Sequence, residues 1–337
     1  MAAAAPGVLR QTGDTVAAGS DDNQRLGAGR PKVLVSALEH PMVLAALSRI
    51  ASTGAWQHIL DGTPLSGEVD IVDAEFLVAA GAITRVGGAT FQLAVDDPMY
   101  RNPQALGNWA QYLLRRALQH ATGQGVEWAS EDPETILSFG RASGRGADVI
   151  ADALLPRLPT VASAFAAGRA SFLDVGVGVG AISIRLLERY PGTRAVGLDV
   201  LPDVLKLARI EVAGSELSES IELRLQSVAD LRDEDEYDLA WFPQPFVPRP
   251  AFLDGVRNVF RALKPGGAMI LPVAIPAEAS EFARARAVHS ACLAGGSAIT
   301  ASDLIEILRA AGLVDLVEHP FSTQRLMTAT KPPSSAV

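Results

Sequence analysis

Three glycines, Gly176, Gly178 and Gly180, separate a short apolar run, SFLDV, from a helical pattern, AISIRLLERY. Glycines between a strand and a helix let the backbone turn tightly and approach a ligand closely. Asp174 stands two residues before the first glycine. Asp199 follows Gly180 by 19 residues, at the end of the next apolar run, RAVGLDV. From that place a carboxylate can accept hydrogen bonds from both hydroxyls of a ribose, so the spacing points to an adenosine-bearing ligand. It does not by itself choose one, because Gly176-x-Gly178-x-x-Ala181 also satisfies the dinucleotide fingerprint with alanine in third place.

The elements that must position these residues begin at Ala170. Apolar runs SFLDVG, RAVGLDV, IELRLQ, YDLAWF and GAMILPV alternate with helical stretches, and LVDLVEH and STQRLMTAT supply two further candidate strands. Strands alternating with helices predict an α/β fold with a parallel sheet. Ahead of it, residues 31–98 predict amphipathic helices followed by a hairpin at Gly87-Gly88, the order of a winged-helix-like module. Residues 99–168 form a helical connector and pocket lid, 169–332 the α/β domain, and 1–30 and 333–337 disordered tails.

The 337 residues suffice for about two domains. Hydrophobic residues at 48% and charged ones at 20% describe a globular chain, and no apolar run approaches the roughly 18 residues of a membrane span. The lone cysteine, Cys292, excludes an internal disulfide, and with 5 histidines it leaves little for a metal cluster, so no metal is expected. The N-terminus lacks the basic region and apolar core of a secretory signal, and the expected location is cytoplasmic. A net charge of −9 makes nucleic acid an unfavourable partner.

Three features set nicotinamide dinucleotide aside. Asp174 suits a cationic amino-acid moiety and would repel a pyrophosphate. The glycine strand lies halfway along the chain rather than opening a dinucleotide domain. ALKPGGAMIL and LIEILRAAGL then follow in an order that resembles the landmarks of class I S-adenosylmethionine-dependent methyltransferases. That resemblance covers roughly residues 166 to 337 and implies a Rossmann-like seven-stranded sheet with S-adenosyl-L-methionine as cofactor. It implies that Asp174 and the backbone at Gly176 and Gly178 meet the methionine part, Asp199 the ribose and Val200 the adenine, with Gly180 a further cofactor-binding residue of the loop. The acidic residue that the family commonly carries after the third strand is replaced here by LRLQSVADL, which assigns the adenine to Ser227 and Val228, with Asp230 as the polar alternative.

With its N-terminal half the whole chain is similar in pattern to bacterial small-molecule methyltransferases, O-methyltransferases among them, whose N-terminal domain dimerises. That implies a homodimer and an aromatic or heterocyclic metabolite of natural-product type as acceptor. Those relatives usually carry a catalytic histidine shortly after the fourth strand, but no histidine occurs from Gly123 through Val288. Either His289 supplies the base, on a helical face shared with Phe282, Ala285 and Cys292, or the acceptor is already nucleophilic and placement suffices. The loop Trp241-Phe242-Pro243-Gln244-Pro245-Phe246 is faintly similar to the Asn-Pro-Pro-Tyr/Phe motif of amino-group methyltransferases. Gln244 is its candidate polar clamp, Phe242 a contact for the sulfonium, and Trp241 and Phe246 contacts for a planar substrate. Trp128 and Phe139 are candidate cover for the site, and Arg141 a partner for the cofactor carboxylate. The alternative is a cofactor-binding regulator or pseudoenzyme whose winged-helix part contacts DNA.

Overall fold

The computed structural model describes residues 30–94, 101, 103–122, 133–321 and 325–334. The chain forms two compact units, Met1–Val43 and Leu44–Val337. The described part of the first is helical, the opening of α1 (Arg30–Ser52). Nearly all of the tail expected at 1–30 lies outside the described residues, as does Trp128.

In the second unit, α2 (Ala55–Asp61) and α3 (Glu68–Ala79) are followed by a hairpin of β1 (Ile83–Gly87) and β2 (Thr90–Leu93). Trp56, Ile59, Leu77, Ile83 and Phe91 are buried, and Arg49 bridges Asp70 at 2.9 Å and Asp73 at 2.5 Å. Helices followed by one hairpin is the expected order. The connector comprises α4 (Pro103–Ala121), α5 (Pro133–Ser143), α6 (Arg145–Val149), a π-helical turn (Ile150–Leu154) and α7 (Pro159–Ala166). No described helix is long and apolar enough to cross a membrane.

The rest alternates as predicted: β3 (Ser171–Val175), α8 (Ala181–Arg189), β4 (Arg194–Asp199), α9 (Pro202–Ala213), β5 (Ile221–Leu225), β6 (Tyr237–Trp241), α10 (Arg249–Ala262), β7 (Leu263–Pro272), α11 (Glu281–Leu293), α12 (Ala301–Ala310), β8 (Val314–Pro320) and β9 (Arg325–Thr330). The sheet has seven strands in the order β5-β4-β3-β6-β7-β9-β8, with β9 antiparallel to both neighbours. Every residue of β3 is buried, as a central parallel strand covered on both faces requires. Leu173 and Val175 pack with Phe252, Val256 and Val259 of α10, while Phe172 packs with Leu154, Phe165 and Leu186 on the opposite face.

Lys264-Pro265-Gly266-Gly267 lies inside β7 rather than ahead of it. Tyr237 pairs with Leu263 and Leu239 with Ala268, so the register shifts across this segment. Lys264 Nζ donates to Asp238 at 2.6 Å, and Asp238 also accepts from the Ser171 backbone at 2.8 Å, stapling the starts of three strands. Strand order reverses between β3 and β6. A crevice at the carboxyl ends of the strands, at such a switch point, is where open α/β sheets bind ligands.

Candidate active site

Asp174 sits on that switch. It pairs with Gly197 on one side and Trp241 on the other, and is 1% exposed. Its Oδ2 accepts from the Ser183 hydroxyl at 2.7 Å, while Oδ1 has no partner among the described residues. Burial, opposed by the Ser183 hydrogen bond and reinforced by the charge of Asp199, pushes its carboxyl up to about 7. Ser183 was not singled out in the sequence. A polar residue on the buried stripe of α8, beside Ile182, Leu186 and Leu187, was the available signal.

The backbone after β3 turns through φ of +66° at Gly176, +56° at Gly178 and +84° at Gly180, a region costly to residues with a Cβ. Added side chains at Gly176 and Gly178 would meet little, Pro243 Cγ at 3.5 Å and the Gly176 carbonyl at 4.0 Å. The cradle is therefore open, and its glycines serve backbone conformation and close approach.

Asp199 is fixed by this loop and by its own turn. Its Oδ2 accepts from Gly178 N at 3.1 Å and Oδ1 from Leu201 N at 3.0 Å. Each oxygen keeps a lone pair for a further donor, as two ribose hydroxyls would require. Burial raises the carboxyl, and the backbone donors of Leu201, Gly178 and Val200 pull it back. Val200 beside it is 60% exposed and free to line a flat ring.

The candidate adenine segment folds as a short 3-10 turn, Val228–Asp230, in which the Ser227 hydroxyl accepts from Ala229 N at 3.2 Å. The Val228 side chain is buried among Phe252 and Val256, and its carbonyl accepts from Asn258 Nδ2. That side chain belongs to the core, which corrects its reading as a ring contact; Asp230 is exposed.

Two further readings are corrected. Phe242 is fully buried, its ring 5.1 Å from Phe252 and tight against Gly255, so it packs the core instead of meeting a sulfonium. Strand alternation explains this, because Phe242 follows Trp241 and turns to the α10 face. Arg141 forks onto Glu211 of α9 at 2.9 and 2.8 Å, which raises the guanidinium and lowers the carboxyl. It holds a carboxylate of this chain and not one from a cofactor.

Of the residues predicted to meet the acceptor, Trp241 is 8% exposed and packs with Leu239 and Ile270. Gln244 is fully buried: its Nε2 donates to the Ser297 carbonyl, and its Oε1 has no partner among the described residues. Phe246 is half-exposed, with its ring edge-on to Phe139 at 6.5 Å, and Phe139 lies 4.9 Å from Tyr112. The structure thus joins two predicted substrate residues, 107 apart in sequence, and adds Tyr112 beside them. Gly140 permits this, since a Cβ there would collide with Val179 of the glycine loop. The face of α11 carrying Phe282, Ala285, His289 and Cys292 is exposed; Ala291 faces inward.

Residues 172–267 match the family model for a methyltransferase domain. The chain carries a methyltransferase domain over these residues. A demethylmenaquinone methyltransferase of Deinococcus radiodurans is 31% identical over 118 residues, 34% of this chain and 47% of that protein. A release factor glutamine methyltransferase of Cereibacter sphaeroides is 27% identical over 184 residues, 54% of this chain and 56% of that protein. The matched regions thus span about half the length of these curated relatives. A solved structure of human N-acetylserotonin methyltransferase with S-adenosylmethionine shares the fold, with a TM-score of 0.61 at 16% identity, covering 94% of this chain and 100% of that one.

S-adenosylmethionine is the cofactor this methyltransferase domain implies. The residues fit it. An unpaired, buried Asp174 oxygen suits an ammonium group, the open glycine cradle suits the methionine backbone, and the spare lone pairs of Asp199 suit a ribose.

Proposed function

We propose that this protein transfers a methyl group from S-adenosylmethionine to a small aromatic or heterocyclic metabolite by in-line displacement. The observation that carries the reading is one continuous arrangement at the β3–β6 switch. The cradle between Asp174 and Asp199 lies against the loop after β6, and that loop leads to the Phe139–Phe246 ring pair. S-adenosylmethionine supplies an electrophilic methyl on sulfur, and the S–CH3 electron pair leaves with the sulfur as a bond to the acceptor atom forms.

Asp199 would hold the ribose and Val200 would cover the adenine, with the Ser227–Val228 backbone beside it. Phe139 and Phe246, with Trp128, would pack a planar acceptor through its faces. Gln244 would orient that acceptor. Because its Nε2 is held by the Ser297 carbonyl, its Oε1 is left to accept from an N–H or O–H of the acceptor. A carboxamide is no base, so this arrangement favours an acceptor that is already nucleophilic, with its proton passing to solvent after transfer. The exposure of His289 favours the same reading. Alignment alone can contribute about 7–11 kcal/mol to such a reaction.

The exposed Val69 and Val72 of α3, one turn apart, and Val86 of the hairpin support the N-terminal module as a dimerisation surface. The test of the reading is thermal stabilisation by S-adenosylhomocysteine, with NADH as control. Stabilisation by the former alone, followed by methyl transfer to a panel of anilines and phenols, is the expected result. Equal stabilisation by NADH, or by neither ligand, would overturn it.

A further inference from the structure

The Asp174 carboxyl is closed off from water, is met only by the neutral hydroxyl and backbone N–H of Ser183, and leaves an oxygen unpaired among the described residues. The charged group that acts on it is another acid. At the end of β4 stands Asp199; α8 offers the uncharged hydroxyl and backbone N–H of Ser183; β6 brings Trp241; and the glycine loop contributes no charge. Among the described residues no arginine or lysine forms an ion pair with Asp174, and Arg141 is engaged with Glu211. A buried carboxylate facing a second acid without a counter-ion is strongly disfavoured against its protonated form.

We infer that Asp174 carries a proton in the free protein and releases it to solvent when the cofactor's ammonium group arrives, so that cofactor binding is a one-proton exchange. The inference rests on the cofactor reading and deepens it. The ammonium replaces the proton as the charge that neutralises the carboxyl, and the proton passes to buffer. Since the free carboxyl titrates at about 7, affinity rises with pH up to neutrality and then levels off. A site whose acid stayed ionised throughout would show no such slope.

The test is isothermal titration calorimetry with S-adenosylhomocysteine in buffers of different ionisation enthalpy, from pH 5.5 to 8. Release of about half a proton at pH 7 and nearly one at pH 6 is expected, with Kd weakening about 20-fold from pH 7.5 to 5.5. Methylthioadenosine, which has the ribose and adenine but no ammonium, separates Asp174 from Asp199: it should bind with no release. Asp174→Asn should bind the homocysteine ligand more weakly, without release and with a flat pH profile. Ser183→Ala removes a donor that favours the carboxylate and should move the midpoint to higher pH, which keeps the test open if the asparagine variant does not fold.

Binding of S-adenosylhomocysteine with no release and a constant Kd would overturn the exchange while leaving the cofactor site standing. Equal release with methylthioadenosine would assign the proton to the ribose end and also overturn it. Absence of binding by either ligand to the folded wild-type chain would remove the cofactor reading, and the exchange with it.

Discussion

The two sides of the crevice are built differently. The proposed cofactor side draws Asp174, the three glycines and Asp199 from 26 consecutive residues, one strand–loop–helix–strand unit whose turn is held by Val177 N on the Leu198 carbonyl at 2.9 Å. The proposed acceptor side draws Tyr112 from α4, Phe139 from α5, Gln244 and Phe246 from the loop after β6, and the Ser297 carbonyl from the segment before α12. Local geometry fixes the first; packing between remote segments fixes the second. A mutation on the cofactor side should therefore act on one ligand alone, whereas one on the acceptor side should act on placement of the acceptor and leave cofactor affinity standing.

The largest effect expected is that of Asp199→Ala. Losing two charge-assisted hydrogen bonds to the ribose should weaken S-adenosylhomocysteine binding by about 100-fold or more, read by calorimetry. Retention of wild-type affinity would break the comparison at its stronger side. Next, Gln244→Ala should lower kcat/KM for an amine or phenol acceptor about 10- to 100-fold with cofactor Kd within about twofold. A matching loss of cofactor affinity would show instead that the loop belongs to the cofactor side. Phe246→Ala should raise the acceptor KM about tenfold with kcat less affected, because it removes one ring of an aromatic wall. The smallest effect is that of Arg141→Ala. Its guanidinium lies on an exposed ion pair with Glu211, so cofactor Kd should change less than about twofold.

The same contrast explains what could be read in advance. The alternation of strands and helices and the loop holding Asp174 and Asp199 were legible, because each is a local pattern along the chain, while the seven-stranded sheet was implied by the family resemblance. Ser183 was hidden because a serine on a helix has no fixed role until a strand brings a carboxylate beneath it. Phe242 and Trp241 show the limit from the other direction. Both are aromatic and adjacent, yet strand alternation sends Phe242 into the α10 core and Trp241 to the opposite face. Arg141 was read toward a ligand because the sequence cannot show that α9 presents Glu211 to it from 70 residues away.

By itself, then, the sequence determined the chemistry of the cofactor side. Glycine conformations and a carboxylate at the end of the next strand depend on neighbours along the chain and on strand geometry. Only the tertiary structure decided which aromatics pack beside Phe246, that the Gln244 amide is held by the Ser297 carbonyl, and that no described arginine or lysine forms an ion pair with Asp174. Those properties depend on which distant surfaces share a volume from which water is excluded, and no spacing along the chain encodes that.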